Sequence, residues 1–121
     1  MPYVAIKTDN LMENINVKEI NEKISAKMSL PRDKVKISWE IFHEDHFYNH
    51  PPEGITSKAK KPHRPVVQIT LSKRNTREFM EELVYSVIDE VCEVLGIERD
   101  AFLVLVYYLE EGNIFLNGKF V

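Results

Sequence analysis

Pro2 is the first residue of this 121-residue chain whose type and position suit proton-transfer chemistry. It stands between the initiator methionine and an alternating apolar segment in "MPYVAIKT". Removal of Met1 would leave Pro2 as a secondary amine at the chain terminus, and an amine that titrates near pH ~8 can act as a base. The alternative is structural, because proline is tolerated as the first residue of a strand.

The second feature that could support binding or catalysis is a long basic segment. Between Gly54 and Arg77 the chain has no aspartate or glutamate. The basic residues of this segment are Lys58, Lys60, Lys61, Arg64, Lys73, Arg74 and Arg77. A local positive field of this kind attracts small anions or acidic partners. The alternative is a solvated basic loop that leads into the start of a helix.

The loop "FHEDHFYNHPPE" carries three histidines, His43, His46 and His50, beside Glu44 and Asp45. Imidazole and carboxylate ligands can bind zinc or related metals. In a loop, however, this spacing imposes no common direction on the side chains. We therefore interpret the segment as a polar loop at the rim of a pocket, and we predict neither a metal site nor a cofactor.

Composition restricts the class of protein. With 44% hydrophobic and 29% charged residues the chain is typical of a globular protein, and its formal net charge of -3 argues against a general nucleic-acid binder. Cys92 is the only cysteine, so no intramolecular disulfide can form. The longest apolar run, "AFLVLVYYL", is too short to span a bilayer. We expect a cytoplasmic protein that binds neither membranes nor nucleic acid.

The first third of the chain has the pattern of a strand, a helix and a second strand. "YVAIKT" alternates as a strand does, and "KVKISWEIF" resumes the alternation after Pro31. Between them Asn16 is placed as an N-cap, and apolar residues then recur at helical spacing. Those residues are Val17, Ile20, Ile24 and Met28.

The second half repeats this plan. "RPVVQITLS" is a predicted strand, and the helix of "NTREFMEELVYSVIDEVCEVLG" should be capped by Asn75 or Thr76 and end at Gly96. Its apolar stripe consists of Phe79, Leu83, Val84, Val87, Ile88, Val91 and Leu95. "AFLVLVYYL" is the fourth predicted strand.

An internal repeat connects the two halves. "SLPRDKVKISWEIF" aligns with "GIERDAFLVLVYYL", so that an Arg-Asp pair precedes the last strand of each half. We predict a single α+β domain over residues 1–121, in which βαβ repeats at about 2–42 and 65–109 form a four-stranded mixed sheet. The right-handed crossovers place both helices on one face.

Two helices leave the other face of such a sheet uncovered. The fourth strand is apolar from Ala101 to Leu109, a pattern that predicts burial on both faces. A second copy of the chain is the simplest cover. The tail "GNIFLNGKFV", with its Asn117-Gly118 turn signal, can form a hairpin that pairs with a neighbour's sheet or folds back on its own chain.

Several quoted segments resemble the tautomerase superfamily, which includes oxalocrotonate tautomerase and macrophage migration inhibitory factor. "MPYVAIKT" is similar to the family's opening strand. "VKISWE" and "VVQITLSKRNTRE" resemble the second and third strands of the 5-carboxymethyl-2-hydroxymuconate isomerase type. "VYYLEEGNIFLNGKFV" is similar to the ending of a bacterial branch of unassigned function.

The resemblance implies a function and a site. In the family the amino-terminal proline shuttles a proton between the oxygen and the carbon of an enol and its keto form, and this role falls on Pro2. Basic side chains hold a substrate carboxylate, and the positions that match are Lys36, Lys73, Arg74 and Arg77. The alignment through "SKRNTRE" is ambiguous by a few residues, so it does not distinguish Arg74 from Arg77 as the arginine of the site. The resemblance also implies a cofactor-independent isomerase of small anionic 2-keto acids that forms homotrimers. A non-enzymatic homo-oligomeric binding protein of the same fold is the alternative.

The chain also departs from the pattern of the inflammatory-factor type. The pocket lysine of that type falls on Leu30, and its pocket tyrosine and asparagine fall on Leu103 and Leu105. The specific pocket of that branch is therefore not expected here.

Overall fold

The computed structural model describes residues 2–9, 15–49 and 63–121 of the chain. These residues form the following helices and strands: β1 (Tyr3–Asp9), α1 (Val17–Met28), β2 (Lys36–Phe42), β3 (Val66–Ser72), α2 (Arg77–Leu95), β4 (Leu103–Leu109), β5 (Phe115–Leu116) and β6 (Lys119–Phe120). A short 3-10 turn precedes β2 and another precedes β4.

The first four strands form one mixed sheet in the order β2-β1-β3-β4. β1 pairs in parallel with β2, and β3 pairs in parallel with β4, while β1 and β3 run antiparallel in the centre. Each parallel pair is joined by one helix, as a right-handed crossover requires. The predicted fold class is therefore confirmed.

Local sequence signals begin and end both helices. The side chain of Asn16 accepts a hydrogen bond from the Glu19 N–H at 3.1 Å, and Thr76 accepts one from the Phe79 N–H at 3.1 Å. Such caps satisfy backbone donors that the first helical turn leaves unpaired. α2 ends at Gly96 in the left-handed conformation with φ of 66°. Thr76, rather than Asn75, is the cap of this helix.

The hydrophobic core lies between the two helices and one face of the sheet. Every second residue of the central strands points into it, as the strand period of two requires. Its fully buried side chains include Val4, Ile6, Ile24, Val67, Ile69, Leu71, Leu83, Val87 and Val91. Most of the predicted α2 stripe lies in this core, whereas Phe79 and Val84 are only partly buried at its margin.

One charged pair lies at the contact between the helices. Glu90 of α2 is 4% exposed, and its Oε1 lies 2.7 Å from Nζ of Lys27 at the end of α1. A buried carboxylate is costly unless it is paired. The Lys27 ammonium, which is half-exposed, therefore compensates the charge of this buried carboxylate.

The opposite face of the sheet is here called the open face, and no helix of the described residues covers it. On β4, Leu105 and Tyr107 are 37% and 50% exposed on this face. Burial of both faces of β4 therefore stays a prediction that needs a further cover, because both crossover helices lie on the same side. Tyr3 of β1 and Ser38 of β2 share a hydrogen bond of 2.7 Å on the open face.

The tail forms the predicted hairpin from β5 and β6. Asn117 and Gly118 connect the strands with φ of 55° and 81°, the two positive values that a two-residue type I′ turn needs. Phe115 and Phe120 face each other with ring centroids 5.1 Å apart, and both are more than 60% exposed. The hairpin is a separate two-stranded sheet within the described chain.

Among the described residues, no helix combines the length and the apolar character needed to cross a membrane.

Candidate functional site

All five predicted site residues lie at one end of the sheet. β1 and β2 begin at this end, and β3 and β4 finish there. The Lys36 N–H donates to the Pro2 carbonyl oxygen at 3.0 Å, and the Lys73 N–H donates to the Leu109 carbonyl oxygen at 2.9 Å. We call this end the proline edge.

Pro2 is buried at the start of β1. The alternation of the strand places it on the same side as Val4, which is on the helix-covered face. Its carbonyl oxygen is tied to β2, so the residue is fixed in the sheet from its first peptide unit. The Pro2 ring is therefore held in place at the boundary of the hydrophobic core.

Lys36 begins β2 directly beside β1. Its register partner is Tyr3, so its side chain starts on the open face and not on the face of Pro2. The ammonium nitrogen donates to the carbonyl oxygen of Asp33 at 2.5 Å. Among the described residues, no carboxylate forms an ion pair with Lys36.

Lys73 and Arg74 follow the end of β3, and each faces a carboxylate from the turn after β4. Lys73 forms an ion pair with Glu110 that is also a hydrogen bond. Arg74 lies with its Nε 4.0 Å from Oε1 of Glu111, and it also donates to the Ser72 hydroxyl from both its backbone N–H and its Nε. The structure thus brings these two cations together and joins them to two acids.

Arg77 lies apart from this pair, at the first residue of α2. Its Nε donates to Oε1 of Glu81 at 3.1 Å, one turn along the helix. Together with Tyr108 it lines a groove of about 540 Å³ between α2 and β4. Of the two arginines that sequence could not distinguish, Arg74 folds against the end of β3 and Arg77 faces this groove.

Two residues of this region were missing from the sequence prediction. Glu110 and Glu111 stand in "YYLEEG" immediately after β4. Because β3 and β4 are parallel, their carboxyl ends meet at the same edge, so acids after one strand lie beside cations after the other. Applied to the third and fourth predicted strands, this rule would have placed Glu110 and Glu111 beside Lys73 and Arg74.

The histidine loop has a different character. His43 Nδ1 accepts a hydrogen bond from the Asp45 N–H at 3.2 Å, and the rings of His43 and His46 are 5.8 Å apart. His50 lies outside the described residues. Within the described ranges, no three side chains of histidine, cysteine, aspartate or glutamate are grouped as a metal site.

His63 ties the two arms of this loop together. Its Nδ1 lies 2.8 Å from the carbonyl oxygen of Phe47, and its ring packs edge-on against Tyr48. The Arg64 N–H also donates to the Asn49 carbonyl oxygen at 2.9 Å. These contacts hold the ends of the segment that connects β2 to β3.

Comparison with known proteins gives a likeness in structure only. No protein-family model and no curated protein matches the sequence. A fused 4-OT, solved as an asymmetric trimer, matches with a TM-score of 0.71 and 14% identity over 98% of this chain and 94% of its own. Malonate semialdehyde decarboxylase, with decarboxylase and hydratase activities, matches with a TM-score of 0.65 and 6% identity over 94% and 89%.

A macrophage migration inhibitory factor-like protein from Entamoeba histolytica gives a TM-score of 0.64 and 13% identity over 99% of this chain and 98% of its own. At such identities the likeness establishes the arrangement of strands and helices and not the chemistry. These structures are tautomerase-superfamily proteins, and the fold of the present chain is the tautomerase fold.

Proposed function

We propose that the protein is a cofactor-independent tautomerase that interconverts the enol and keto forms of a small anionic 2-keto acid. The observation that carries this proposal is the location of Pro2. It immediately precedes β1, at the end of the sheet where Lys36, Lys73 and Arg74 also lie, within a fold that tautomerases use.

The proposed chemistry is proton transfer by the Pro2 nitrogen. After removal of Met1 this nitrogen is a secondary amine whose lone pair can take a proton from the enol oxygen or from carbon and return it to the other atom. A base poised near working pH is effective in such a step. Burial disfavours the charged form of an amine and so favours the basic form.

The ring of Pro2 adds orientation to this basicity. A pyrrolidine has few conformers, and the hydrogen bond from Lys36 holds its carbonyl group in the sheet. A base that is already oriented avoids the entropic cost of ordering during reaction. Cationic side chains from the same end of the sheet would hold the substrate carboxylate and stabilise the developing enolate.

The open face supports assembly into a homotrimer, as in the fused 4-OT neighbour. Leu105 and Tyr107 leave apolar surface uncovered in the single chain, and the hairpin exposes Phe115 and Phe120. Contiguous exposed apolar surface marks interaction sites in soluble proteins. In this proposal copies of the chain cover one another's open faces, and the hairpin of one copy pairs with a neighbour's sheet.

A non-enzymatic binding protein is the second candidate, and the burial of Pro2 favours it. A buried proline whose carbonyl is bonded to β2 is also what a purely structural strand start requires. In this case an anionic ligand would bind to the basic side chains, and replacing Arg74 and Arg77 by alanine would weaken that binding. An affinity insensitive to salt would contradict the idea.

Ketonisation of phenylenolpyruvate distinguishes the two candidates. Protein that lacks Met1 should accelerate the reaction, and Pro2→Ala should lose most of the acceleration. Pro31→Ala is the matched control, because Pro31 is exposed between α1 and β2, and it should keep the rate. Equal rates for Pro2→Ala and the unmodified protein would exclude proline catalysis.

A further inference from the structure

The groove between α2 and β4 takes no part in the proposed proton transfer. It has a volume of about 540 Å³, and β4 is an outer strand of the four-stranded sheet. The floor of the groove is apolar and consists of Met80, Val84, Val104 and Val106. Ligand pockets in proteins are concave, mostly apolar and of this size, so the groove has the dimensions of a small-molecule site.

The periods of the two elements bring the lining residues together. On α2, Arg77, Met80 and Val84 recur at intervals of three and four residues and so share one face. On β4, the lining residues between Val104 and Tyr108 alternate with residues of the open face. The groove therefore lies on the helix-covered side of the sheet, and contact between copies through the open face leaves it uncovered.

Two tyrosines border the apolar floor. Tyr85 is 52% exposed and Tyr108 is 36% exposed. The guanidinium carbon of Arg99 lies 5.0 Å from the centroid of the Tyr85 ring and holds that ring from the side of β4's first residues. Aromatic rings pack favourably on one another in offset or edge-to-face arrangements. The rim of the groove thus favours a ligand with an aromatic body.

Arg77 gives the groove a cationic end. Its Nε donates to Oε1 of Glu81 at 3.1 Å, and within the described ranges no hydrogen bond uses its two terminal nitrogens. The side chain is 73% exposed. Arginine binds a carboxylate through two parallel hydrogen bonds. Glu81 therefore orients the guanidinium, and the terminal nitrogens complement the charge and the shape of one carboxylate.

The groove is separate from the Pro2 position. Tyr3 lies opposite Thr70 and Leu71 lies opposite Tyr108, so Leu71 stands between Pro2 and Tyr108 on the helix-covered face. The Leu71 side chain is fully buried. Within one chain, the space between the groove and Pro2 is thus filled by protein.

We propose that the groove between α2 and β4 is a second binding site, which takes a small aryl monocarboxylate. The aromatic ring of this ligand packs on the apolar floor between Tyr85 and Tyr108, and its carboxylate binds the terminal nitrogens of Arg77. No bond is made or broken in this step, so the site does not depend on proline catalysis.

A methyl NMR titration with 3-phenylpropionate tests the site, because every residue of the floor carries a methyl group. Saturable shifts are expected for the methyl groups of Met80, Val84, Val104 and Val106. Propionate, which lacks the ring, and 3-phenylpropan-1-ol, which lacks the charge, should each bind at least about threefold more weakly.

Three variants separate the parts of the site. Arg77→Gln removes the guanidinium and should weaken the binding about three- to tenfold. Arg32→Gln is the matched control, since Arg32 is also an exposed arginine paired with a glutamate, Glu22, and lies between α1 and β2; it should leave the affinity unchanged. Val84→Trp fills the groove without a change of charge and should abolish the binding.

Three results would overturn the proposal. They are the lack of any saturable shift, shifts confined to methyl groups outside the groove, and an equal loss of affinity in Arg77→Gln and Arg32→Gln. Failure of proline catalysis is a separate result, because Pro2→Ala removes turnover and should bind 3-phenylpropionate in the groove as the unmodified protein does.

Discussion

The two faces of the central sheet differ in what covers them. On the helix-covered face Val4, Ile6 and Ile69 are fully buried, whereas on the open face Leu105 and Tyr107 are more than a third exposed. The same four strands build both faces, so strand propensity does not account for the difference. It arises because both crossovers have the same hand and place their helices on one side. One face thus completes a core within the chain, and the other is left exposed in the single chain.

Assembly gives the largest contrast between the faces. Leu105→Asp places a charge in the apolar part of the open face and should convert the proposed homotrimer to monomers. Lys18→Asp, on the exposed side of α1, should leave the assembly intact. Sedimentation velocity of both variants measures the mass. A trimer that survives Leu105→Asp would show that the open face is not the contact between copies.

Core truncation gives the next largest effect. Leu83 of α2 is fully buried against the helix-covered face. Leu83→Ala should lower the free energy of unfolding by about 2–5 kcal/mol, because it removes buried methyl groups and leaves a cavity. Urea unfolding followed by circular dichroism measures this loss. A loss below about 1 kcal/mol would show that the helix layer is not closely packed on the sheet.

Removing a side-chain hydrogen bond should lower the free energy of unfolding more on the helix-covered face than on the open face. Trp39 Nε1 donates to the Thr8 hydroxyl at 2.9 Å on the helix-covered face, where Thr8 is 3% exposed. Trp39→Phe should cost about 1–3 kcal/mol, since it leaves a buried hydroxyl without that donor. Tyr3→Phe, which removes the exposed bond to Ser38, should cost less than about 1 kcal/mol. Equal costs in thermal unfolding would contradict the assigned burial.

The smallest expected effect is a slower alkylation of Cys92, which measures how far α2 shields this thiol from solvent. Burial, and then the nearby Asp89 carboxylate, raise the pKa of the Cys92 thiol above its usual value. A raised pKa means a smaller thiolate fraction at any given pH, and the thiolate is the reactive form. At pH 8 iodoacetamide should therefore alkylate Cys92 more slowly than it alkylates free cysteine. The opposite order would indicate an accessible or activated thiol.

Much of the fold could be predicted because its signals are local. Caps such as Asn16, Thr76 and Gly96 act over one helical turn, and strand alternation acts over a few residues. The Arg-Asp pair that precedes both β2 and β4 indicated an internal repeat, and that repeat predicted the four-stranded sheet. The ion pair between Lys27 and Glu90 was not predicted, because its two side chains come from different helices.

The candidate site could be predicted only as Pro2 and a set of cations, without their relative positions. Its residues come from separate strands, and their meeting at one edge depends on strand order and direction. The pairing of Lys73 with Glu110 depends on the parallel register of β3 and β4, which places Ser72 opposite Leu109. The different surroundings of Arg74 and Arg77 depend on where α2 begins relative to the end of β3. Such information is tertiary and is not contained in spacing along the chain.

The intact mass of the protein purified from its own cells tests the central claim most directly. Proline catalysis requires a free amine at Pro2, so we predict a mass lower than that of the 121-residue sequence by one methionine residue. A mass that includes Met1 would contradict the claim, because the Pro2 nitrogen would then belong to an amide and could not serve as a base.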